Sequence, residues 1–262
     1  MVLLHLVDAF SDRPFSGNPA AVCLLDAPRT DEWMQQLANE LGYSETAYVA
    51  RAGSSLSLRW FTPTVEVALC GHATLASAHV LWSVGRAQGA ISFATKSGEL
   101  TCERKGKLIQ LDMPRSTLTD EPPPVGLVSA LGGIKPLTLK RAQNDQLLVE
   151  LADEDSVRKL TPDFRTLAQV KVRGVMVTAR AKNPEFDFVS RYFAPASGID
   201  EDPVTGSAHC ALTPFWAERL DKTSMRAQQL SKRGGILEVE LLPERVRVGG
   251  RAVTVFTGAL TV

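Results

Sequence analysis

The sequence RWFTP at residues 59–63 recurs as RYFAP at residues 191–195, 132 residues further along the chain. Downstream of the first copy lies CGHA at 70–73, and downstream of the second lies TGSA at 205–208, a shift of 135. Both shifts are close to half of the 262 residues. Two matches in the same order and at nearly the same spacing indicate an internal repeat. The chain is therefore expected to consist of two similar halves.

Each copy of the repeat predicts a strand, a loop and a buried helix. The strand ends near a proline, which has no N–H to donate to a sheet. A glycine then precedes a stretch with hardly any charged residue, ATLASAHVLW at 73–82 and AHCALTPFWA at 208–217. A helix that is apolar on every side is a buried helix. Pro214 lies inside the second stretch and is expected to bend or break that helix.

The remaining segments are rich in short strand patterns, so the fold class is expected to be α+β. Apolar or alternating residues predict strands at 90–94, 108–113, 236–241 and 246–248, and the apolar start of the chain predicts a first strand. A surface helix is expected from Asp31 to about Leu41, with Gly42 as its C-terminal cap.

The midpoint of the chain carries a polar, proline-rich segment, DEPPP at 120–124, which is typical of a linker. We therefore expect an N-terminal half of residues 1–118, completed by a C-terminal strand at about 252–262, and a C-terminal half of residues 119–251. Each half is expected to curl a sheet around its central helix, and the two halves to face one another across a cleft.

Composition excludes several classes of partner. Lys and Arg together number 29, as do Asp and Glu, so no strong field favours nucleic acid or an anionic membrane. No apolar run approaches the roughly 20 residues of a membrane span, and the chain start lacks the pattern of a signal peptide. The four cysteines are scattered, which predicts reduced thiols and a cytoplasmic protein.

The two predicted helix N-termini are candidate anion sites, because first-turn N–H groups and the helix dipole both favour negative charge. A shared cleft with two such termini suits a small substrate that carries a carboxylate. His72 lies in the first turn of the first helix, and Ser207 occupies the matching place in the second half. Both residues could equally have a purely structural role, His72 as a core histidine and Ser207 as a capping serine.

Acidic residues near these helices have structural readings as well. Asp200, Glu201 and Asp202 precede the second helix, where acids are electrostatically favoured in any case. Glu45 follows the predicted surface helix, and a loop glutamate is normally exposed and without a chemical role. These residues alone do not choose between a site and a surface.

Metal and nucleotide cofactors are not expected. The five metal-binding side chains nearest the two helices have no recognised ligand spacing; they are Cys70, His72, His79, His209 and Cys210. The chain also lacks a dinucleotide-binding glycine motif after a strand, a P-loop and a Gly-x-Ser-x-Gly elbow.

Several segments, in order along the whole chain, resemble the PhzF-like family of phenazine-biosynthesis isomerases. They are VDAF at 7–10, FSGNPAAV at 15–22, LGYSETA at 41–47, FTP at 61–63, CGHAT at 70–74, GIDEDPVTGSAH at 198–209, VRVGG at 246–250 and VTVFTG at 253–258. The resemblance implies the diaminopimelate-epimerase-like fold, with two pseudo-symmetric halves, each a central helix wrapped by a curled, mainly antiparallel sheet. That implication agrees with the internal repeat.

The resemblance also implies a reaction and a set of site residues. In the founding enzyme a glutamate moves a proton on dihydro-hydroxyanthranilate without a cofactor, and Glu45 occupies the matching position. The chain is thus expected to be a cofactor-independent isomerase with Glu45 as its catalytic acid and base, and lookalikes are usually homodimers. The matching substrate-binding residues are Ser44, Gly71, His72, Asp202, Gly206 and Ser207, and Asn18 and Cys70 are further candidates.

Two alternatives stay open from the sequence. Related two-base epimerases use a cysteine from each half, at the positions of Cys70 and Thr205; threonine is a poor base near neutral pH. A protein that keeps the fold only to bind or to scaffold is the other alternative. The family often has ELPF before its Cys-Gly-His motif, whereas this chain has EVAL at 66–69, a difference that bears on the identity of the substrate.

Overall fold

The computed structural model describes residues 2–27, 29–52 and 55–261, and the chain divides into two compact units. The first unit is Met1–Met113 together with Gly249–Val262, and the second is Pro114–Val248. The first segment of the first unit therefore ends at Met113, whereas the sequence suggested that it would end at residue 118. The reason is that the strand Leu118–Asp120 pairs with a strand of the second unit, Leu118 opposite Ala142.

The first unit begins with eight strands and two helices. In chain order they are β1 (Leu3–Ala9), β2 (Asn18–Leu25), α1 (Asp31–Leu41), β3 (Thr46–Ala52), β4 (Ser55–Phe61), β5 (Glu66–Val67), α2 (Gly71–Ser83), β6 (Ile91–Thr95), β7 (Gly98–Lys105) and β8 (Leu108–Pro114). The pairs β2–β3 and β4–β6 are parallel. The pairs β1–β2, β3–β4, β4–β5, β6–β7 and β7–β8 are antiparallel, so the sheet is mainly antiparallel, as expected.

The second unit repeats this arrangement. Its elements are β9 (Leu118–Asp120), α3 (Leu127–Ala130), β10 (Thr138–Ala142), β11 (Gln146–Glu150), α4 (Glu154–Lys159), α5 (Phe164–Leu167), β12 (Gly174–Arg180), β13 (Phe188–Ala194), β14 (Ile199–Asp202), α6 (His209–Leu220), β15 (Ser224–Gln229), β16 (Gly235–Leu241) and β17 (Arg245–Gly250). The C-terminal strand β18 (Ala252–Ala259) belongs to the first unit, where it pairs with β1.

Strand pairing confirms the internal repeat. The parallel pair β2–β3 has its counterpart in β11–β12, and the parallel pair β4–β6 has its counterpart in β13–β15. The short antiparallel partner of β4, which is β5, corresponds to β14 beside β13. The duplication inferred from two short motifs thus extends over the sheet of each unit.

The helix α2 is buried on nearly every side, as its apolar sequence predicts. Of its residues only His79 and Ser83 are not buried, and the helix lies against β1, β2, β3 and β18. Small side chains on α2, such as Ala73 and Ala76, let the surrounding strands approach closely. The helix therefore forms the core of the first unit.

The corresponding helix α6 begins and continues differently from the expectation. Residues Gly206–Ala208 form a 3₁₀ turn, so the α-helix starts at His209 and not at the glycine. The helix then runs through Pro214 to Leu220 without the break that the sequence suggested. Packing explains this, because every residue from 209 to 217 is buried and the surroundings hold the helix across the proline.

Shorter elements agree with the sequence. The helix α1 spans Asp31–Leu41, and Gly42 caps it in the left-handed conformation at φ +67°, its N–H donating to the carbonyl oxygen of Ala38. The predicted strands correspond to β6, β8, β16 and β17. Among the described residues, no helix combines the length and the apolar composition that crossing a membrane requires.

In each unit an arginine–glutamate pair joins a long strand to its short antiparallel partner. In the first unit Arg59 on β4 donates from Nε and a terminal nitrogen to the two oxygens of Glu66 at 2.7 and 2.8 Å. In the second unit Arg191 on β13 donates in the same way to Glu201 at 2.7 and 3.0 Å. Both pairs are bidentate, the geometry that makes such contacts strong. The glutamates are offset by 135 residues, like the glycines that follow them.

Glu66 should make acid stability depend on this pair. The hydrogen bond from Arg59 holds the pKa of Glu66 below its usual range, against the opposing effect of burial. A lowered pKa in the folded protein gives a stabilisation that is complete above the unfolded pKa of about 4.3 and is lost as the pH falls through the folded value. We expect Glu66→Gln to lower the free energy of unfolding by about 1–3 kcal/mol at pH 7.

The measurement is urea unfolding of both proteins between pH 7 and pH 3. The difference between wild type and Glu66→Gln should shrink as the pH falls, because the wild-type carboxylate becomes protonated. Glu99→Gln, at an exposed position on β7, serves as the control and should change stability little at any pH. A difference that stayed constant with pH would contradict the assignment.

The loop between β1 and β2 depends on Gly17. This residue has φ +70°, and a Cβ atom placed on it would lie 2.1 Å from the carbonyl oxygen of Ala9. Only glycine fits a position that combines a left-handed backbone with such a close backbone approach. The next residue, Asn18, is fully buried at the start of β2, so this loop also fixes a side chain of the candidate site described below.

Replacing Gly17 should therefore be costly in a way that a comparable glycine is not. We expect Gly17→Ala to lower the free energy of unfolding by about 3 kcal/mol or more, because strain and a backbone clash add together. Gly42→Ala is the matched control: its φ is +67°, but nothing lies within 4 Å of the added Cβ, so only about 1 kcal/mol of backbone strain is expected. Equal losses in the two variants, measured by urea unfolding, would refute the role of the close approach.

Candidate active site

Glu45 lies in the connection between α1 and β3, directly before the first residue of that strand. The connection is short because Gly42 ends the helix and Thr46 already pairs with β2, in parallel register with Ala21. Only 15% of the Glu45 side chain is exposed. A glutamate that would ordinarily be a surface residue is thus held largely out of solvent.

The His72 imidazole lies beside this carboxylate. His72 occupies the first turn of α2, and 6% of its side chain is exposed. Its Nε2 lies 3.4 Å from Oε2 of Glu45. The other ring nitrogen, Nδ1, lies 3.2 Å from the amide nitrogen of Asn18 and 3.5 Å from the Cys70 sulfur. The structure therefore places Asn18, Glu45 and Cys70 around the His72 ring.

The Asn18 amide orients the histidine. An amide nitrogen can only donate, so in this orientation Nδ1 accepts a hydrogen bond from Asn18. In a neutral ring the proton then sits on Nε2, the nitrogen that faces Glu45. His72 can accordingly present a donor to the carboxylate.

Cys70 and Ser44 complete the polar surroundings. Cys70 is the buried residue before α2, and its carbonyl oxygen accepts a 2.5 Å hydrogen bond from the Thr74 hydroxyl. Gly71, the first residue of α2, follows it, and first-turn N–H groups of a helix have no acceptor within the helix. The Ser44 hydroxyl is buried and makes no hydrogen bond with any described residue. These groups are suited to bind an oxyanion beside Glu45.

The remaining predicted residues belong to the second unit, around the turn before α6. Asp202 ends β14, and its carboxylate accepts a short hydrogen bond from the Thr205 hydroxyl. Gly206 and Ser207 form the 3₁₀ turn that follows. Since the Thr205 oxygen donates its proton to Asp202, the residue that stands in place of a second catalytic cysteine is engaged as a hydrogen-bond donor.

Gln229 is a residue of this turn that the sequence analysis missed. It is fully buried on β15, and its amide oxygen accepts the Thr205 backbone N–H at 2.9 Å. Its amide nitrogen donates to the carbonyl oxygen of Asp202 at 2.9 Å and to the Thr205 hydroxyl at 3.2 Å. A lone glutamine 24 residues downstream gives no signal in the sequence, because only the pairing of β15 with β13 brings it back to the turn.

The acidic residues grouped before α6 separate into different roles. Glu201 is bound by Arg191 in the bidentate pair described above, and Asp200 is exposed. Only Asp202 of the three is buried with its carboxylate at the turn.

One group of possible metal ligands does not follow from sequence spacing. His209 and Cys210 lie on α6, where burial lowers the pKa of His209 to about 4 and raises the pKa of Cys210 to about 12. In the first unit, however, Glu45, Cys70 and His72 each offer one ligand atom, and these atoms lie within 4.8 Å of one another. Sequence spacing could not show this, because the glutamate comes from a loop 25 residues before the cysteine.

Several known proteins are similar to this chain in sequence and in structure. The sequence profile of the family described as "Phenazine biosynthesis-like protein" matches residues 7–258. An uncharacterized isomerase of Pseudomonas aeruginosa is 52% identical over 257 residues, which cover 98% of this chain and 97% of that protein. The crystal structure of a PhzF-family protein of Enterococcus faecalis has a TM-score of 0.94 at 41% identity, covering 100% of this chain and 99% of the other.

A more distant likeness concerns the fold alone. A probable proline racemase from Agrobacterium radiobacter has a TM-score of 0.72 at 12% identity, over 100% of this chain and 93% of that chain. Together the matches confirm the resemblance read from the sequence and the predicted α+β, epimerase-like fold.

The hydrogen bonds of Gln229 should contribute to the free energy of unfolding. In Gln229→Met the Thr205 N–H and the Asp202 carbonyl lose their partner in a buried place, so we expect the free energy of unfolding to fall by about 1–3 kcal/mol. Gln228→Met, the neighbouring half-buried position on β15, is the matched control and should change stability by less than about 0.5 kcal/mol. Urea unfolding of the three proteins decides the matter, and similar losses at both positions would argue against the network.

Proposed function

The chain belongs to the phenazine biosynthesis-like protein family, and from that premise we propose that it is an isomerase that moves a proton on a small carboxylate-bearing substrate without a cofactor. Relatives named as isomerases support the reaction class. The position of Glu45 supports the mechanism. The identity of the substrate is proposed only as a chemical class.

The observation that carries this proposal is the largely buried Glu45 carboxylate, 3.4 Å from the His72 ring. A proton shift by one group needs a base that takes the proton from one atom of the substrate and returns it to another. Such a group works best where most water is excluded, because its electrostatic interactions with the substrate are stronger there. Glu45 meets both conditions, and no other carboxylate is needed for the cycle.

His72 acts in this mechanism as a positioning residue for the carboxylate. Asn18 favours the tautomer with a proton on Nε2, and that proton points a donor at one oxygen of Glu45. The carboxylate is thereby held in one orientation while its other oxygen exchanges the proton with the substrate. A rigidly placed base reaches the transition state with little reorganisation.

The substrate carboxylate is proposed to bind at the start of α2. The helix dipole and the N–H groups at Gly71 favour an anion there, and the buried Ser44 hydroxyl supplies a further donor. The resemblance also assigns substrate contacts to Asp202, Gly206 and Ser207, and this assignment stays a prediction. A two-thiol epimerase is disfavoured, since Thr205 replaces the second cysteine and donates its hydroxyl proton to Asp202.

The test begins with a metabolite screen by thermal shift, followed by solvent-deuterium exchange on each metabolite that stabilises the protein. We expect the stabilising compounds to carry a carboxylate and to take up deuterium from solvent. Glu45→Gln should reduce that uptake at least about 100-fold, because a carboxamide cannot act as a general base. Glu40→Gln is the matched control, an exposed glutamate at the end of α1, and should exchange like wild type.

Two outcomes would contradict the proposal. Full exchange in Glu45→Gln would remove Glu45 from the mechanism. Binding of a metabolite without any deuterium uptake would favour a protein that keeps the fold only to bind.

A further inference from the structure

We propose that Glu45, Cys70 and His72 form a Zn²⁺ site that inhibits this enzyme when the metal is bound. The binding part of the proposal stands on the arrangement of three side chains. The inhibitory part rests on the proposed function, because it requires Glu45 to be the group that moves the proton.

The spacing of the three side chains suits a tetrahedral ion. Zinc binds sulfur, imidazole nitrogen and carboxylate oxygen at about 2.0–2.3 Å, which places ligand atoms about 3.5 Å from one another. Here Nε2 of His72, the nitrogen that would bind the ion, lies 3.4 Å from Oε2 of Glu45. The Cys70 sulfur lies 3.5 Å from the other ring nitrogen, Nδ1, so its side chain has to turn toward Nε2. One ligand atom from each residue falls within 4.8 Å of the other two, so contraction by about 1 Å completes the set.

The chemistry of the ligands selects the metal. A thiolate and an imidazole favour zinc and cobalt, whereas magnesium and calcium prefer oxygen ligands alone. A Cys70 thiolate and a Glu45 carboxylate together balance the two charges of the ion while the imidazole stays neutral. Three protein ligands leave a fourth position for water, as in other zinc sites with three protein ligands.

The surrounding structure holds two of the ligands in place. Cys70 and His72 flank the first residue of the buried helix α2, so the backbone of neither can move far without disturbing the core. The Asn18 amide lies 3.2 Å from Nδ1. When the metal takes Nε2, this amide has to turn so that its oxygen accepts the Nδ1 proton, which is the outer hydrogen bond that histidine ligands usually make. Glu45 already faces Nε2, so the Cys70 side chain is the ligand that has to turn.

Metal binding and proton transfer compete for the same carboxylate. Zn²⁺ replaces the Cys70 thiol proton, which leaves to solvent, and no electrons are exchanged. The bound metal occupies the oxygen atoms of Glu45 that would otherwise take the substrate proton. Because the ion displaces a proton, its affinity should rise as the pH rises.

The binding test uses Co²⁺ as a spectroscopic probe and Zn²⁺ as its competitor, on the full chain. We expect Co²⁺ to produce a thiolate-to-cobalt charge-transfer absorption that stoichiometric Zn²⁺ removes and excess Mg²⁺ does not. Cys70→Ala and His72→Ala should weaken Co²⁺ binding by more than about 100-fold, since loss of an outer partner alone costs 10- to 100-fold. Cys210→Ala, which removes a buried thiol on α6, is the matched control and should keep the absorption.

The inhibition test follows deuterium exchange on a substrate while Zn²⁺ is added. One equivalent of Zn²⁺ should abolish exchange, and a chelator should restore it. If the cobalt absorption is missing, or survives in Cys70→Ala with circular dichroism showing a folded protein, the metal site is refuted and the role of Glu45 is untouched. If the metal binds but exchange continues, the site stands and the assignment of Glu45 as the base falls.

Discussion

The central helix of each half has no polar face, so the strands of that half have to cover it on every side. Eleven of the thirteen residues of α2 are buried, so the helix needs apolar surroundings on every face. Strands β1, β2, β3 and β18 supply them in the first unit. The last of these comes from the far end of the chain, which explains why the C-terminal segment belongs to the first unit. In the second unit α6 has the same requirement and lies against β15 and β16.

The position of the candidate site follows from that burial. The backbone N–H groups of a helix lack partners only at its start, and the start of α2 carries Cys70 and His72. The parallel pairing of β2 with β3 then brings two other segments beside this end: Asn18, which begins β2, and Glu45, which precedes β3. The candidate site thus lies where the start of the core helix meets the starts of β2 and β3.

The two halves share a scaffold and differ in their polar groups. Both have a bidentate arginine–glutamate pair, at Arg59 and at Arg191, between corresponding strands. At the start of the central helix, however, the first half gathers a thiol, an imidazole and a carboxylate, whereas the second half ties its threonine to an aspartate and a glutamine. The two halves therefore share the groups that hold each sheet together and differ at the start of the central helix.

Much of this architecture was present in the sequence. Apolar residues on every face fixed α2 as a core helix, glycine fixed the end of α1, and two short motifs fixed the duplication, because burial and backbone conformation are local demands. The break expected at Pro214 is absent, because packing around α6 holds the helix together across the proline. The candidate site was harder to predict from the sequence. Without the family resemblance, Glu45 would have been taken for an ordinary exposed loop residue.

Only the tertiary structure decided which polar groups meet. Glu45, Asn18 and His72 come from three separate segments, and Gln229 reaches the turn at Thr205 from a distant strand. Strand pairing brings these groups together, and pairing between distant segments depends on the whole sheet. The sequence therefore determined where the three long helices α1, α2 and α6 and several of the strands lie, and that the chain is duplicated. The folded chain determined that a carboxylate, a thiol and an imidazole stand within 4.8 Å of one another.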